Sequence, residues 1–308
     1  MATAYLFDGT TFAPLDWQTR GALRWAAWRP DGSVAILVGN GGSVFLFDGD
    51  RLQPLSTGAR HNLRGVAWSP DGKMALLVGN RGAALLLRGE SFEEVSPVTS
   101  ENLRRVAWNP TGAYALVVGN GGTALRFDAG SGELSPIPGD RAHTLRAVGF
   151  RPDGSYALVG AFASRWVGYP RPHPLYRCDG RYLQALFASD DEDDLVAVDW
   201  SVEGLALAAG YAWRPDGRVV NKAILYDGSA WRTQTWQAKG QVLGAAWRPQ
   251  GDFALLIGER GLATRINREG GIEELESGIE ENLIGPFWRP DGASALVLKG
   301  PGDKVYTV

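Results

Sequence analysis

Short apolar runs recur along the chain, each cut within about ten residues by Gly, Pro, Asn or Asp. AILVG, ALLVG, ALVVG, ALVG and ALLIG are continuous rather than alternating, the pattern of strands buried on both faces. Each is preceded by a Leu that opens an aromatic and turn motif. The copies read LRWAAWRPDG from Leu23, LRGVAWSPDG from Leu63, LRRVAWNPTG from Leu103, LRAVGFRPDG from Leu145, LVAVDWSVEG from Leu195, LGAAWRPQG from Leu243 and LIGPFWRPDG from Leu283. Their central aromatics, Trp28, Trp68, Trp108, Phe150, Trp200, Trp247 and Trp288, are spaced by 40, 40, 42, 50, 47 and 41 residues. Helical repeats of similar length do not carry a turn at this frequency.

Four strands are legible in one unit. Residues 23 to 29 form strand a, and Pro30-Asp31-Gly32 turns the chain. Residues 34 to 38 form strand b, Asn40-Gly41-Gly42 a tight turn, 44 to 47 strand c, Asp48-Gly49 a second turn and 52 to 55 strand d. A four-stranded unit of this period is the size of a propeller blade. Leu-x-x-Val-Ala-Trp-x-Pro-Asp-Gly, followed by Gly-Asn-Gly-Gly and Leu-Phe-Asp-Gly, resembles a degenerate WD40 repeat or the related TolB-type repeat. That resemblance implies an all-β fold, a seven-bladed β-propeller of four-stranded antiparallel blades, and a role in binding. The Gly-His that precedes strand a in WD40 repeats is absent from every copy. Its Trp-Asp becomes Phe47-Asp48, Phe127-Asp128, Cys178-Asp179 and Tyr226-Asp227, so the His-Asp network of that family is not carried over.

The chain ends predict how the ring closes. Residues 4 to 15 read as strands c and d with no a or b before them, and the last copy runs to Val308 through a, b and the c-like KVYTV. Residues 1 to 308 are therefore expected to form a single propeller domain, the N-terminal segment completing the last blade and removing its open edges. Either residues 4 to 8 or residues 304 to 308 lie beside strand b of that blade.

Composition narrows the function. The 308 residues are 44% apolar and 21% charged, and 31 Lys and Arg against 34 Asp and Glu give a net charge of -3, with no basic field for a phosphate backbone. One Cys and three His exclude a disulfide framework and Cys-based zinc signatures. No apolar run approaches the roughly 20 residues of a membrane helix, and no export signal opens the chain. Neither nucleic acid nor a membrane is an expected partner, and a cytoplasmic location is favoured.

Candidate sites lie where copies depart from the template. In the fourth, the short b-to-c turn becomes residues 161 to 174, AFASRWVGYPRPHP, carrying Arg165, Trp166, Tyr169, Arg171 and His173. In the fifth, strands b and c are expected to extend to a turn at residues 214 to 217, carrying Tyr211, Trp213 and Arg214. Both lengthen the same connection on the same face, with residue types enriched at binding hot spots. The competing reading is that Trp166 and Trp213 only pack the two hairpins together.

Arg24, Arg64, Arg104 and Arg146 share one register at the start of strand a in blades one to four, where Val196, Gly244 and Ile284 follow in blades five to seven. They predict an electropositive arc at the channel mouth suited to an anion or acidic peptide, unless each Arg pairs with a carboxylate such as Glu101, Glu281 or the run 190 to 194. That acidic run reads as a solvated loop. Two residues before each repeat Leu stand Gly21, His61, Glu101, His143, Asp193, Gln241 and Glu281, one per blade and thus not convergent on one atom. Cys178 reads as a buried apolar residue. No catalytic set, metal site or cofactor is expected. The sequence thus points to a non-enzymatic scaffold binding a protein or peptide through blades four and five. The alternative is a lactonase- or lyase-like enzyme, or a receptor for a small anionic ligand, using the channel mouth.

Overall fold

Packing on both faces of the apolar runs dictates the architecture. Ile36 and Val38 face the second repeat and Leu37 faces the seventh, all fully buried, so one strand supplies two cores. The same division recurs around the chain: seven apolar clusters each draw on two adjacent repeats. The computed structural model describes residues 3–19, 21–140, 144–162, 174–187 and 192–300. It is a seven-bladed β-propeller of four-stranded antiparallel blades. The inner strands are Leu23–Trp28, Leu63–Trp68, Leu103–Trp108, Thr144–Phe150, Glu192–Trp200, Val242–Trp247 and Leu283–Trp288. Each contacts the next around the ring, the seventh meeting the first.

Closure comes through the N-terminus. Ala4–Phe7 pairs with Ala295–Lys299, Ala4 opposite Leu298 and Phe7 opposite Ala295, and Phe12–Leu15 is the outer strand. Residues 304 to 308, the other candidate for this edge, lie outside the described residues.

The motif aromatics stitch the blades. Each indole Nε1 donates to the backbone carbonyl of the preceding blade: Trp28 to Phe287 at 3.2 Å, Trp68 to Ala27 at 3.2 Å, Trp108 to Ala67 at 3.0 Å, Trp200 to Gly149 at 3.0 Å and Trp288 to Ala246 at 3.3 Å. Phe150 has no such donor, and the Trp247 indole N–H is buried without an acceptor. Where an Asp stands at the end of strand c it serves its own turn. Asp48 Oδ1 accepts from the N–H of Asp50 and Arg51, and Asp128, Asp179 and Asp227 do the same for the residues after them. This Asx turn explains why Asp-Gly persists where no His partner exists.

Register differs from the expectation in the sixth blade. Val242, not Leu243, pairs with Gly258 as Leu23 pairs with Gly39. Leu243 therefore occupies the arginine register assigned above to Gly244, and Gly240 the position assigned to Gln241. The shorter motif copy had hidden a one-residue offset. The acidic run is also not a solvated loop in its described part. Glu192 to Asp194 extend strand a of blade five against Tyr211 to Trp213, and Asp193 and Asp194 are buried. Ala206–Trp213 and Val219–Tyr226 form the long hairpin expected for this blade, and a bridge from Phe162 to Asp194 joins it to blade four.

Deleting residues 1 to 15 removes both outer strands of blade seven and exposes Leu296 and Leu298, so the truncated chain is expected to aggregate or melt at a sharply lower temperature. Calorimetry showing unchanged thermal unfolding would contradict this closure.

Candidate functional site

A β-bulge places the candidate residues. In blades one to six the pairing of strand a with strand b skips one residue just after the repeat Leu, or Val242 in blade six: Leu23 opposes Gly39 and Trp25 opposes Val38, leaving Arg24 over. The skipped residues are Arg24, Arg64, Arg104, Arg146, Val196 and Leu243, and a bulge re-aims the side chain it frees. All six, with Ile284 of blade seven, line the channel mouth around a cavity of about 90 Å³ that opens to solvent. The residue opposite the repeat position is Gly in blades one, two, three, five and six and Ala161 in blade four, and in the Gly blades the backbones approach closely. A Cβ on Gly79 would lie 2.2 Å from the carbonyl oxygen of Asn62, and one on Gly258 1.9 Å from that of Gln241.

Three of the four arginines are oriented by neutral partners, and the fourth, Arg146, feels the charge of Asp194. Arg24 Nε donates to Asn40 Oδ1 at 2.8 Å, Arg104 Nε to Asn120 Oδ1 at 2.8 Å, and Arg64 Nε to Asn80 Oδ1, each Asn lying 16 residues after its Arg. In blade four that position is Phe162, whose ring lies 4.7 Å from the Arg146 guanidinium, and Arg146 Nε is buried without an acceptor. Among the described residues, none of these arginines forms an ion pair; Glu281 pairs with Lys299 at 3.0 Å and Asp193 with Lys222 at 2.8 Å instead. Arg104 is only 8% exposed. Burial, then the charges of Arg146, Arg64 and Arg24, push it down to about 9, and burial lowers Arg24, Arg64 and Arg146 as well. Guanidinium groups nonetheless stay protonated at neutral pH, so the mouth concentrates positive charge.

Beneath them lies an arginine that the repeat pattern did not single out. Arg105 spans the channel, its guanidinium 3.5 Å from the Trp25 ring centroid and its Nη1 donating to the carbonyls of Arg64 at 2.9 Å and Arg104 at 2.8 Å. It lines the mouth and also an inner chamber whose walls include Trp25, Val198, Ala246 and Pro286. One carboxyl group faces that chamber, Asp199, whose Oδ2 accepts the Trp247 backbone N–H at 2.7 Å. Burial raises Asp199 to about 6. The signals for these residues are within the repeats: Asn recurs 16 positions after Arg, and Asp199 stands where other copies have Ala27, Ala67 and Ala107.

The long hairpin of blade five rises on the mouth face, because the b-to-c connections adjoin the start of strand a. Arg165, Trp166, Tyr169, Arg171 and His173 lie outside the described residues. Tyr211, expected partly exposed, is 4% exposed, whereas Trp213 and Arg214 are half-buried and Arg214 Nη2 donates to Thr235 Oγ1 at 3.1 Å. Lys222 and Asp193 form a fully buried pair that ties strand a to strand c in this hairpin. His61 and Glu101 are exposed and His143 is outside the described residues, so that register does not converge. Among the described residues no group of three or more His, Cys, Asp or Glu is placed to hold a metal. Cys178 is buried, which pushes its thiol up to about 11.

No protein-family model matches the chain, and no curated protein does. Solved structures do. A chain of Kuenenia stuttgartiensis hydrazine synthase superposes with a TM-score of 0.72 at 15% identity, covering 94% of this chain and 99% of that one. The Cps50 (Swd1) β-propeller domain of Myceliophteria thermophila superposes at 0.67 and 13% identity, covering 92% and 99%. At such identity the likeness is one of fold: the chain is built as a β-propeller.

Lys222→Ala is expected to cost roughly 3–5 kcal/mol, because it removes the counter-charge of a buried carboxylate, whereas the double change Asp193→Leu with Lys222→Met should cost far less. Denaturant unfolding of the two variants checks this. Asp199 is raised in the folded protein, so its contribution to stability is full below about pH 4 and lost as pH rises through about 6. Asp199→Asn should remove that fall, at most about 3 kcal/mol, from a stability profile between pH 4 and 7.

Proposed function

We propose that the protein is a recognition module of the WD40-like or TolB-like kind that takes an anionic group of a protein or peptide partner into its channel mouth. The hairpins of blades four and five flank the bound partner on the same face. The observation that carries this reading is four guanidinium groups on consecutive blades, aimed into one mouth by bulges, three of them oriented by Asn40, Asn80 and Asn120 rather than by carboxylates. Three of them remain free to meet an anion with their Nη groups without breaking an internal ion pair, and an anion would relieve their mutual repulsion. Guanidinium groups do not exchange protons at neutral pH, so the set suits binding and orientation rather than acid-base catalysis.

A labelled peptide rich in Asp and Glu should bind the native protein and weaken by about tenfold or more as salt rises from about 50 to about 300 mM. Arg64→Gln with Arg104→Gln should abolish that binding and leave the circular dichroism spectrum unchanged. Salt-independent binding, or undiminished binding by the double variant, would overturn the reading.

A further inference from the structure

The channel is charged in opposite senses at two depths. At the mouth, Arg104 is nine-tenths buried and Arg146 carries a buried Nε with no acceptor. Below them Arg105 also has a buried Nε with no acceptor, and its Nη1 donates to two backbone carbonyls. Arg105 and Val196 line the mouth and the inner chamber alike, so the two spaces adjoin. The chamber has a volume of about 200 Å³, with walls of Ala, Val, Gly and Pro apart from Trp25, Arg105 and Asp199. Among the described residues Asp199 forms no ion pair. Its known partner is a backbone N–H, and Trp247 Nε1 beside that strand lacks an acceptor.

A buried carboxylate without a counter-charge is costly, and so is a cluster of cations without an anion. Pairing the two sets with each other would satisfy both, yet among the described residues no ion pair joins them: the Arg arc opens on the mouth and Asp199 on the inner chamber, where it accepts the Trp247 N–H. What fits between them is a ligand of complementary polarity, negative at the outer end, apolar along its body and positive at the inner end.

Building on the reading of the mouth as an anion site, we propose that the channel binds an unbranched ω-amino carboxylate, its carboxylate held by Arg104 and Arg146, its methylene chain against Val196 and Val198 and its ammonium on Asp199. The group can be a free small molecule or the C-terminal lysine of a peptide, which presents the same two charges on the same kind of chain. Apolar walls between the charged ends favour a methylene spacer over a polar one, since a polar spacer would lose its water without gaining partners. The inner end selects against simple fatty acids, which would leave Asp199 uncompensated.

Titration calorimetry on the full chain tests this with hexanoate, 6-aminohexanoate, a peptide ending in lysine and the same peptide amidated at its C-terminus. The native protein should bind 6-aminohexanoate at least about tenfold more tightly than hexanoate. Asp199→Asn keeps an acceptor for the Trp247 N–H and should bring the two ligands to equal affinity. Ala246→Leu, at the same register in the next blade, should fill the chamber beside Asp199, weaken 6-aminohexanoate and leave the acidic peptide unaffected; blade seven already carries Phe287 at this register. Tight binding of the lysine-ended peptide that is lost on amidation identifies a chain terminus as the source, and binding of 6-aminohexanoate alone identifies a small molecule. Equal affinity for hexanoate and 6-aminohexanoate, or a preference that survives Asp199→Asn, overturns the inference. If 6-aminohexanoate fails to bind while the acidic peptide still binds in a salt-dependent way, the inference falls and the reading of the mouth stands; if both fail, both fall.

Discussion

The ring depends on an aromatic side chain wedged between adjacent blades. Burying an indole gives roughly 1.5–3 kcal/mol, and its N–H to the preceding blade's carbonyl adds about 1 kcal/mol while fixing the angle at which the blades meet. Five indoles make this bond in the same way, from Trp28 around to Trp288. Because each stitch reaches backwards along the chain, the first blade must find the seventh, where Trp28 meets Phe287 across 259 residues. The N-terminal strand then has one place left to pair. The irregular stitches are Phe150, at the joint of blades three and four, and Trp247, at the joint of blades five and six. Blade five, which carries Asp199, the longest strands and the buried Lys222–Asp193 pair, is held to blade four both by the regular stitch from Trp200 to Gly149 and by the bridge from Asp194 to Phe162.

The same inner strands build the site. A bulge needs a residue to spare and a partner strand able to approach closely, and the Gly that ends each run such as ALLVG meets the second need. Its cost is an unpaired position at the channel mouth. In blades one to four the position carries Arg, and in five to seven an aliphatic residue, so one structural device yields a mouth that is cationic on one side and apolar on the other. Repetition makes the fold robust, and departure from repetition makes it specific: Phe162 for Asn, Asp199 for Ala and Arg105 beside Arg104 each stand at one blade only. A propeller concentrates such differences because every inner strand faces the same axis. Residues some 40 positions apart in sequence become neighbours around the mouth.

Much of this was legible before folding. Local chemistry sufficed for the turns, the strand order within a unit, the seven copies and the incomplete pairs of strands at the ends, because Pro-Asp-Gly, Asn-Gly-Gly and Asp-Gly act within a few residues. Arg24, Arg64, Arg104 and Arg146 stood out for the same reason: a fixed offset from a motif survives translation into a fixed place in a blade. The offset misled only in the sixth copy, where a missing residue moved Leu243 into the arginine register.

What the tertiary structure alone decided is which groups face one another. That the arginines rest on Asn side chains rather than on Glu101 or Glu281, that Asp193 and Asp194 are buried in a strand, and that Tyr211 is enclosed all turn on pairing between segments far apart in the chain. Sequence determines each blade because its hydrogen bonds are local and its period is short. The channel belongs to no blade. Its charge, its chamber and the separation of Asp199 from the arginines exist only once seven inner strands close around one axis, which is a property of the ring and of no single repeat.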